Sequence, residues 1–157
     1  MEYDSELSLL SPKFTQDYPP AVYPELMHKN GRPYTCLLVE SHDDYFICVP
    51  FRSSIGHKNA FLFTGTARSK KSKSGLVYTK ISIIKDSDYF DSATTAIVDQ
   101  DEYAEMMRNL PTIVREATDC VDTYINHVNW TAPMHPRAFA RKYQYSTLPY
   151  FHDIMGI

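Results

Sequence analysis

Two β-type runs, Tyr34-Thr35-Cys36-Leu37-Leu38-Val39-Glu40 and Tyr45-Phe46-Ile47-Cys48-Val49, constrain this chain most. Each is almost continuously apolar. Only Ser41-His42-Asp43-Asp44, a stretch of hairpin-turn composition, separates them. A strand that alternates can leave one face to water, but a strand that is apolar at nearly every position must be covered on both. The hairpin therefore belongs at the centre of a sheet, with material packed on either side. Pro50 has no N–H to give a ladder and marks the expected end of the second strand.

The flanking segments supply that material. Glu6 to Leu10 reads as a short opening strand. Ser11-Pro12 reads as an N-cap with Pro at the first helical position, opening a helix to about Asp17. Tyr18-Pro19-Pro20 stops it, and His28-Lys29-Asn30-Gly31 is a turn. Ala60 to Phe63 is a third short strand, and Gly65 to Gly75, rich in Ser, Lys and Gly, reads as a mobile loop. Leu76 to Ile84 alternates and reads as one strand, with Tyr78, Lys80 and Ser82 on one face. Tyr89-Phe90 and Thr95 to Val98 suggest one more.

Asp99 to Asn129 is helical. Met106, Leu110, Ile113, Ala117, Val121, Tyr124 and Val128 recur at three- and four-residue steps as one apolar stripe. Pro111 breaks or kinks it, and its acids are expected on the outer face. Pro136 to Tyr143 reads as a short basic helix. The aromatic close, Tyr145 to Ile154, should dock on the body. Strands first and helices after predict an α+β fold, in which helices flank a compact, twisted antiparallel β-barrel or sheet. At 157 residues the chain is expected to be a single domain over 1–157.

Charge is arranged in blocks. From Arg52 to Lys85 there are eight Lys or Arg and no acid, whereas Asp86 to Thr131 holds ten acids and two bases. The net charge of −3 thus conceals a local basic footprint suited to a polyanion. No apolar run approaches the ~20 residues of a membrane span, and Met1-Glu2-Tyr3-Asp4 starts no secretory signal. A cytoplasmic protein with no membrane partner is expected. Cys36, Cys48 and Cys120, set apart in apolar runs, read as buried free thiols.

After Pro50 come Phe51-Arg52-Ser53-Ser54-Ile55-Gly56-His57-Lys58-Asn59. Cations, hydroxyls, a Gly hinge and an imidazole follow a strand end, where a rigid scaffold tends to present chemistry. The histidines are scattered, and neither a zinc pattern nor a phosphate-binding glycine loop occurs, so no cofactor or metal is expected. Metal-free RNA cleavage fits what is present. The 2′-hydroxyl is an internal nucleophile, so the protein need only position it, move its proton and stabilise the phosphorane oxygens. Arg32, Arg52, Ser53, His57, Lys58 and Lys80 supply that set. Arg32 suits charge stabilisation, since a guanidinium pKa stays above ~12 and makes a poor base. The catalytic candidates are Ser53, Arg32, Arg52 and His57. The RNA-contacting candidates are His28, Lys29, Lys58, Arg68, Lys70, Lys71, Lys73, Tyr78, Lys80, Arg137 and Arg141.

The order of Arg32-Pro33-Tyr34, then Tyr45 through Ser53, then Gly75-Leu76-Val77-Tyr78-Thr79-Lys80-Ile81 resembles the toxins of type III toxin–antitoxin systems. These are the ToxN/AbiQ-like endoribonucleases. Val98 to Tyr103 and the closing Tyr143 to Phe151 look most similar to the CptN/TenpN branch. The resemblance implies a barrel related to MazF/Kid-type toxins and metal-independent cleavage that leaves a 2′,3′-cyclic phosphate. It also implies cellular RNA substrates, an inhibitory pseudoknot RNA antitoxin cut from a repeat transcript, and a closed hetero-oligomer of toxin and RNA. The family's serine falls on Ser53. Its basic residue before the strand, usually lysine, falls on Arg32. Arg52 stands where a threonine is common, and Ser54-Ile55 where the ToxN branch has Pro-Lys. A non-catalytic RNA-binding module and a MazF-like RNase held by a protein antitoxin are the alternatives.

Overall fold

The computed structural model describes residues 5–26, 34–41, 44–91, 94 and 96–157. The apolar hairpin is central. β1 (Ser5–Leu10), β2 (Tyr34–Glu40) and β3 (Phe46–Arg52) run antiparallel, with Leu7 facing Leu37 and Leu37 facing Val49. Cys36 to Val39 and Ile47 to Pro50 are all buried. The strand does not end at Pro50. It continues to Arg52, with Pro50 opposite Cys36, so the expected boundary is two residues early.

The far side of β3 is divided between two short partners. β5 (Gly75–Val77) pairs with its end, Phe51 facing Leu76 and Arg52 facing Gly75. β6 (Ser82–Ile84) pairs with its beginning, Cys48 facing Ser82 and Phe46 facing Ile84. Between Phe51 and Cys48 β3 advances three residues, while the returning chain advances six, from Leu76 to Ser82. The surplus leaves the ladder as a 3-10 turn, Tyr78–Lys80. The alternating run Leu76 to Ile84 is therefore two strands and a turn. Its alternation fails as a face assignment because the pairing register slips in its middle. β4 (Ala60–Leu62) closes the far edge against β5. Gly75 permits that approach, since a Cβ there would lie 1.9 Å from the Phe61 carbonyl oxygen.

The result is an α+β fold with a six-stranded antiparallel sheet followed by helices. The short α1 (Pro12–Asp17) occurs as expected, with Phe14 buried. The long helical region divides at Pro111 into α2 (Gln100–Arg108) and α3 (Leu110–Val128), with Pro111 in the first turn of α3. Proline fits there because the first N–H groups of a helix have no intrahelical acceptor. Ile113, Ala117, Cys120, Val121 and Tyr124 form the buried stripe of α3. α4 (Pro136–Tyr143) and α5 (His152–Met155) follow. Residues 96–98 form no strand. Cys36, Cys48 and Cys120 are buried and free. Among the described residues, no helix is long and apolar enough to cross a membrane.

One expectation about the surface is overturned. Glu102 and Glu105 of α2 are buried, 5% and 6% exposed, and do not lie on its outer face. The Glu105 carboxylate accepts from the N–H groups of Thr64 and Gly65, at 2.9 and 2.8 Å, and Asp101 accepts from that of Ala67 at 2.7 Å. The Lys-rich loop is thus pinned at its start, because carboxylates satisfy backbone donors that a loop otherwise leaves to water.

The C-terminal segment docks, as its aromatic content requires. Leu148 and Phe151 are fully buried. Thr147, also fully buried, donates its N–H to the Thr79 carbonyl at 3.0 Å, and its hydroxyl to the Ile81 carbonyl. It thereby clamps the turn that interrupts the strand. Thr147→Val keeps the side-chain volume and the N–H but orphans a buried acceptor. A loss of about 1–3 kcal/mol is expected. Urea unfolding measures it, and an unchanged midpoint would show that the clamp does nothing for stability.

Candidate active site

The turn and the polar stretch after β3 meet at one corner. Arg52 ends β3. Ser53 follows, half-buried, and Ser54 adopts a left-handed backbone, φ 56°, that reverses the chain. The Ile55 N–H donates to the Lys73 carbonyl at 2.7 Å, which ties this reversal to the end of the Lys-rich loop. His57 comes next and lies against Thr79, with its Nε2 3.3 Å from Thr79 Oγ1.

The hydrogen bonds determine the imidazole tautomer. The Asn59 N–H points at His57 Nδ1, 3.1 Å away, so Nδ1 is the acceptor. The neutral ring then carries its proton on Nε2 and donates it to Thr79 Oγ1. Partial burial first, and then the charges of Arg52 and Lys80, hold the imidazole below its usual pKa. The neutral ring thus has one donor and one acceptor assigned.

Asn59 holds the corner together. Besides its bond to His57, its carbonyl accepts from the Tyr78 N–H at 3.0 Å, and its Nδ2 donates to the Lys142 carbonyl at 3.2 Å. One residue thus links the His57 loop, the Tyr78–Lys80 turn and the end of α4.

The two cations differ. Lys80 is 9% exposed; its Nζ donates to Glu25 Oε2 at 2.9 Å and to the Tyr145 carbonyl at 3.1 Å. Its charge is already matched, and it acts on His57 through the field it keeps. Arg52 is half-buried and makes no ion pair among the described residues. Its guanidinium is the one placed to meet an incoming anion at this corner. The Ser53 hydroxyl is also uncommitted among the described residues.

The remaining candidates divide. Arg32, His28 and Lys29 lie outside the described residues. Lys58, Lys70, Lys71 and Lys73 are exposed around the corner and its attached loop. Arg137 and Arg141 are exposed on α4. Arg68 is committed, at 3.1 Å from Asp99 and 3.6 Å from Glu102. Tyr78 faces away from the corner. It is 4% exposed and donates its hydroxyl to Glu116 of α3 at 3.0 Å, and burial, then the Glu116 charge, raises its pKa far above the usual value. Tyr78 therefore belongs to the packing between sheet and helix, and the expectation of a shared face with Lys80 is corrected.

Thr79 and Asn59 are site residues that sequence reading missed. Strict alternation sends Thr79 to the face opposite Lys80, and only the 3-10 turn brings both to one place. Asn59 carried a weak signal, as a short amide in a turn, where such side chains bond nearby backbone groups. Among the described residues, no three His, Cys, Asp or Glu side chains converge as metal ligands would. A cavity of about 780 Å³ lies elsewhere, over Leu7, Leu38, Phe46 and Phe90. Its rim sets Asp88 and Asp91 against one cation, Lys85, a balance that repels phosphate.

The chain matches no protein-family model, no curated protein and no solved structure.

The tautomer and its neighbours define a titration. Both cations oppose protonation, so the His57 pKa should lie below the reference ~6.5. Arg52→Ala should raise it, because one opposing charge is gone. Imidazole proton shifts followed by NMR across pH 4–8 (roughly the range that brackets the reference value) measure both. A His57 pKa above the reference value would contradict the placement of Arg52 and Lys80.

Proposed function

We propose that this protein is a metal-independent endoribonuclease that cleaves by 2′-hydroxyl attack and leaves a 2′,3′-cyclic phosphate. The meeting of Arg52, His57, Thr79 and Lys80 at one corner, with Ser53 next to Arg52 in the chain, carries this reading. Arg52 offers the uncommitted guanidinium for the phosphorane oxygens. Ser53 and neighbouring N–H groups hold the phosphate. The Nε2–H of His57 is directed at the position a phosphoryl or leaving oxygen would take beside Thr79. There the neutral ring can donate a hydrogen bond. To accept the 2′-proton, His57 must use Nδ1, so the bond from the Asn59 N–H opens when RNA binds; the imidazolium so formed releases its Nε2 proton to the leaving 5′-oxygen and keeps the proton taken from the 2′-hydroxyl on Nδ1.

The resemblance to type III toxins extends the proposal. A repeat-derived pseudoknot RNA would be both product and inhibitor, held along the basic surface of Lys58, Lys70, Lys71 and Lys73 in a closed hetero-oligomer. The sheet would correspond to a MazF/Kid-type barrel, and the protein would act in the cytoplasm on cellular RNA.

The test is incubation of purified protein with a long RNA in EDTA, with analysis of the ends produced. Cleavage to cyclic phosphate is expected. Ser53→Ala, Arg52→Ala and His57→Ala should each lower the rate on the order of 10²–10³-fold, the effect of removing one charge-stabilising donor or proton carrier. Arg32→Ala tests the remaining catalytic candidate. Binding without cleavage in EDTA would favour the non-catalytic module. That reading has one observation behind it, the engagement of His57 Nδ1 by Asn59.

A further inference from the structure

Two buried hydroxyls, those of Ser74 and Ser82, have no hydrogen-bond partner among the described residues, and both residues are fully buried. A buried hydroxyl without a partner gives up its bonds to water and gains none, so an alanine in its place would fold at less cost. Such a group calls for an explanation. The two differ in what faces them.

Ser82 faces Cys48 of β3, which is also fully buried. Ser74 immediately precedes β5, and its neighbours follow from the register. β5 pairs with β3 through Gly75 and Arg52, and with β4 through Gly75 and Leu62. One step further along both ladders, Ser74 lies between Ser53 and Phe63. The backbone bonds agree. The Phe63 N–H donates to the Ser74 carbonyl at 2.9 Å, and the Ile55 N–H reaches the Lys73 carbonyl at 2.7 Å past the Ser54 reversal. Because Ser74 turns its carbonyl to the β4 side, it forms with Ser53 a narrow pair without ladder bonds, the kind in which side chains come closest.

The Ser74 side chain therefore has an aromatic ring on one side and a hydroxyl on the other. Phe63 is buried and packs with Phe51 and Phe61, at 6.3 and 6.1 Å between ring centroids. Ser53 is only half-buried, and its hydroxyl is uncommitted among the described residues. It is the member of the pair that an anion from solvent can meet. Directly opposed residues have Cβ atoms about 4.5–5.5 Å apart, and hydroxyl side chains hydrogen-bond across that gap. A change of χ1 rotamer brings the two oxygens within reach.

We propose that Ser74 is a positioning residue for Ser53: when the Ser53 O–H bonds a phosphate oxygen of bound RNA, the Ser74 O–H bonds the Ser53 oxygen. No proton changes owner. The two bonds run in one direction, so each polarises the other, and the apolar surroundings strengthen both. Ser74 is closed to solvent and does not touch the phosphate. The proposal rests on the reading of the corner as an RNA phosphate site; it does not require that the RNA be cut.

The test is a double-mutant cycle of Ser74→Ala and Ser53→Ala, with Ser82→Ala as control. Binding of a labelled single-stranded oligoribonucleotide, made uncleavable by 2′-fluoro substitution, is followed by anisotropy. Cleavage of the unmodified strand in EDTA gives kcat/KM, and thermal melting gives stability. Ser74→Ala should lower the affinity about 2- to 150-fold, the range of coupling between residues in contact. It should lower kcat/KM at least as much, because the phosphorane oxygens carry more charge than the phosphate. Its melting temperature should be equal or higher. In the Ser53→Ala background the same change should cost nothing further, and Ser82→Ala should leave binding and cleavage unchanged. A Ser74→Ala protein as competent as the parent would overturn the proposal. Losses that add to those of Ser53→Ala would do the same, since Ser74 would then act elsewhere, and so would a matching loss in Ser82→Ala, the mark of a general packing effect. A lowered melting temperature would also overturn it, because the hydroxyl would already have a partner. Cleavage without coupling between the two serines removes the positioning role and leaves the nuclease standing. Coupling in binding without cleavage leaves the positioning role and removes the nuclease. Absence of both binding and cleavage removes both.

Discussion

The structure depends on how β3 shares its far edge. One strand of seven residues carries β5 on its last part and β6 on its first, and the chain between them holds three residues more than the ladder can use. Pro50 lies in that interval, and it offers no N–H to either neighbour. The surplus residues, Tyr78, Thr79 and Lys80, form a turn whose three side chains take three different paths. Tyr78 enters the interface with α3, Thr79 meets His57, and Lys80 reaches Glu25 and Tyr145. A continuous strand would have sent Tyr78 and Lys80 to one face and Thr79 to the other. The break in regular structure is thus what assembles the corner, and Thr147 holds it by taking up carbonyls that the interrupted ladder leaves free.

The charge blocks of the sequence are matched against one another in a related way. The acids of α2 face the start of the basic loop, where Glu105 and Asp101 accept from backbone N–H groups and Asp99 and Glu102 meet Arg68. Surface ion pairs contribute little, but carboxylates that satisfy backbone donors while half or fully buried contribute more. The loop is consequently a built platform with Lys70, Lys71 and Lys73 outermost. The Lys73 carbonyl near its end accepts from Ile55, so loop and corner are one continuous surface.

Much of this was legible from residue order. The hairpin of Tyr34–Glu40 and Phe46–Arg52, the short helix after Ser11, the division at Pro111 and the basic helix Pro136–Tyr143 follow from local apolar pattern and from proline. What was not legible follows from pairing. The alternation of Leu76 to Ile84 is real at both ends, and no local signal says that the two ends belong to different parts of β3. The buried acids of α2 were missed for a related reason. Periodicity reports which face is apolar, whereas Glu102 and Glu105 are buried by a loop that arrives from elsewhere in the chain. Within the candidate site, Arg52, Ser53 and His57 could be proposed because they are close in sequence. Thr79 and Asn59 could not, because their partners are set by tertiary structure.

Lys80 shows how distant segments bear on the corner. A nearly buried ammonium is costly unless paired, and its partners come from before β2 and from the end of the chain, Glu25 and the Tyr145 carbonyl. The pairing leaves enough field at His57 to disfavour a second positive charge, and the Arg52 charge acts in the same sense. Both charges, added to burial, lower the proton affinity of the imidazole in the free protein. An arriving phosphate would partly neutralise Arg52 and lift that opposition, so anion binding and proton affinity at His57 are coupled in the favourable sense. The same bound phosphate competes for the Nε2–H that Thr79 now receives. The corner is therefore set so that the proton-handling state of His57 responds to the occupant, and the docked C-terminal segment, through Lys80, is part of that setting.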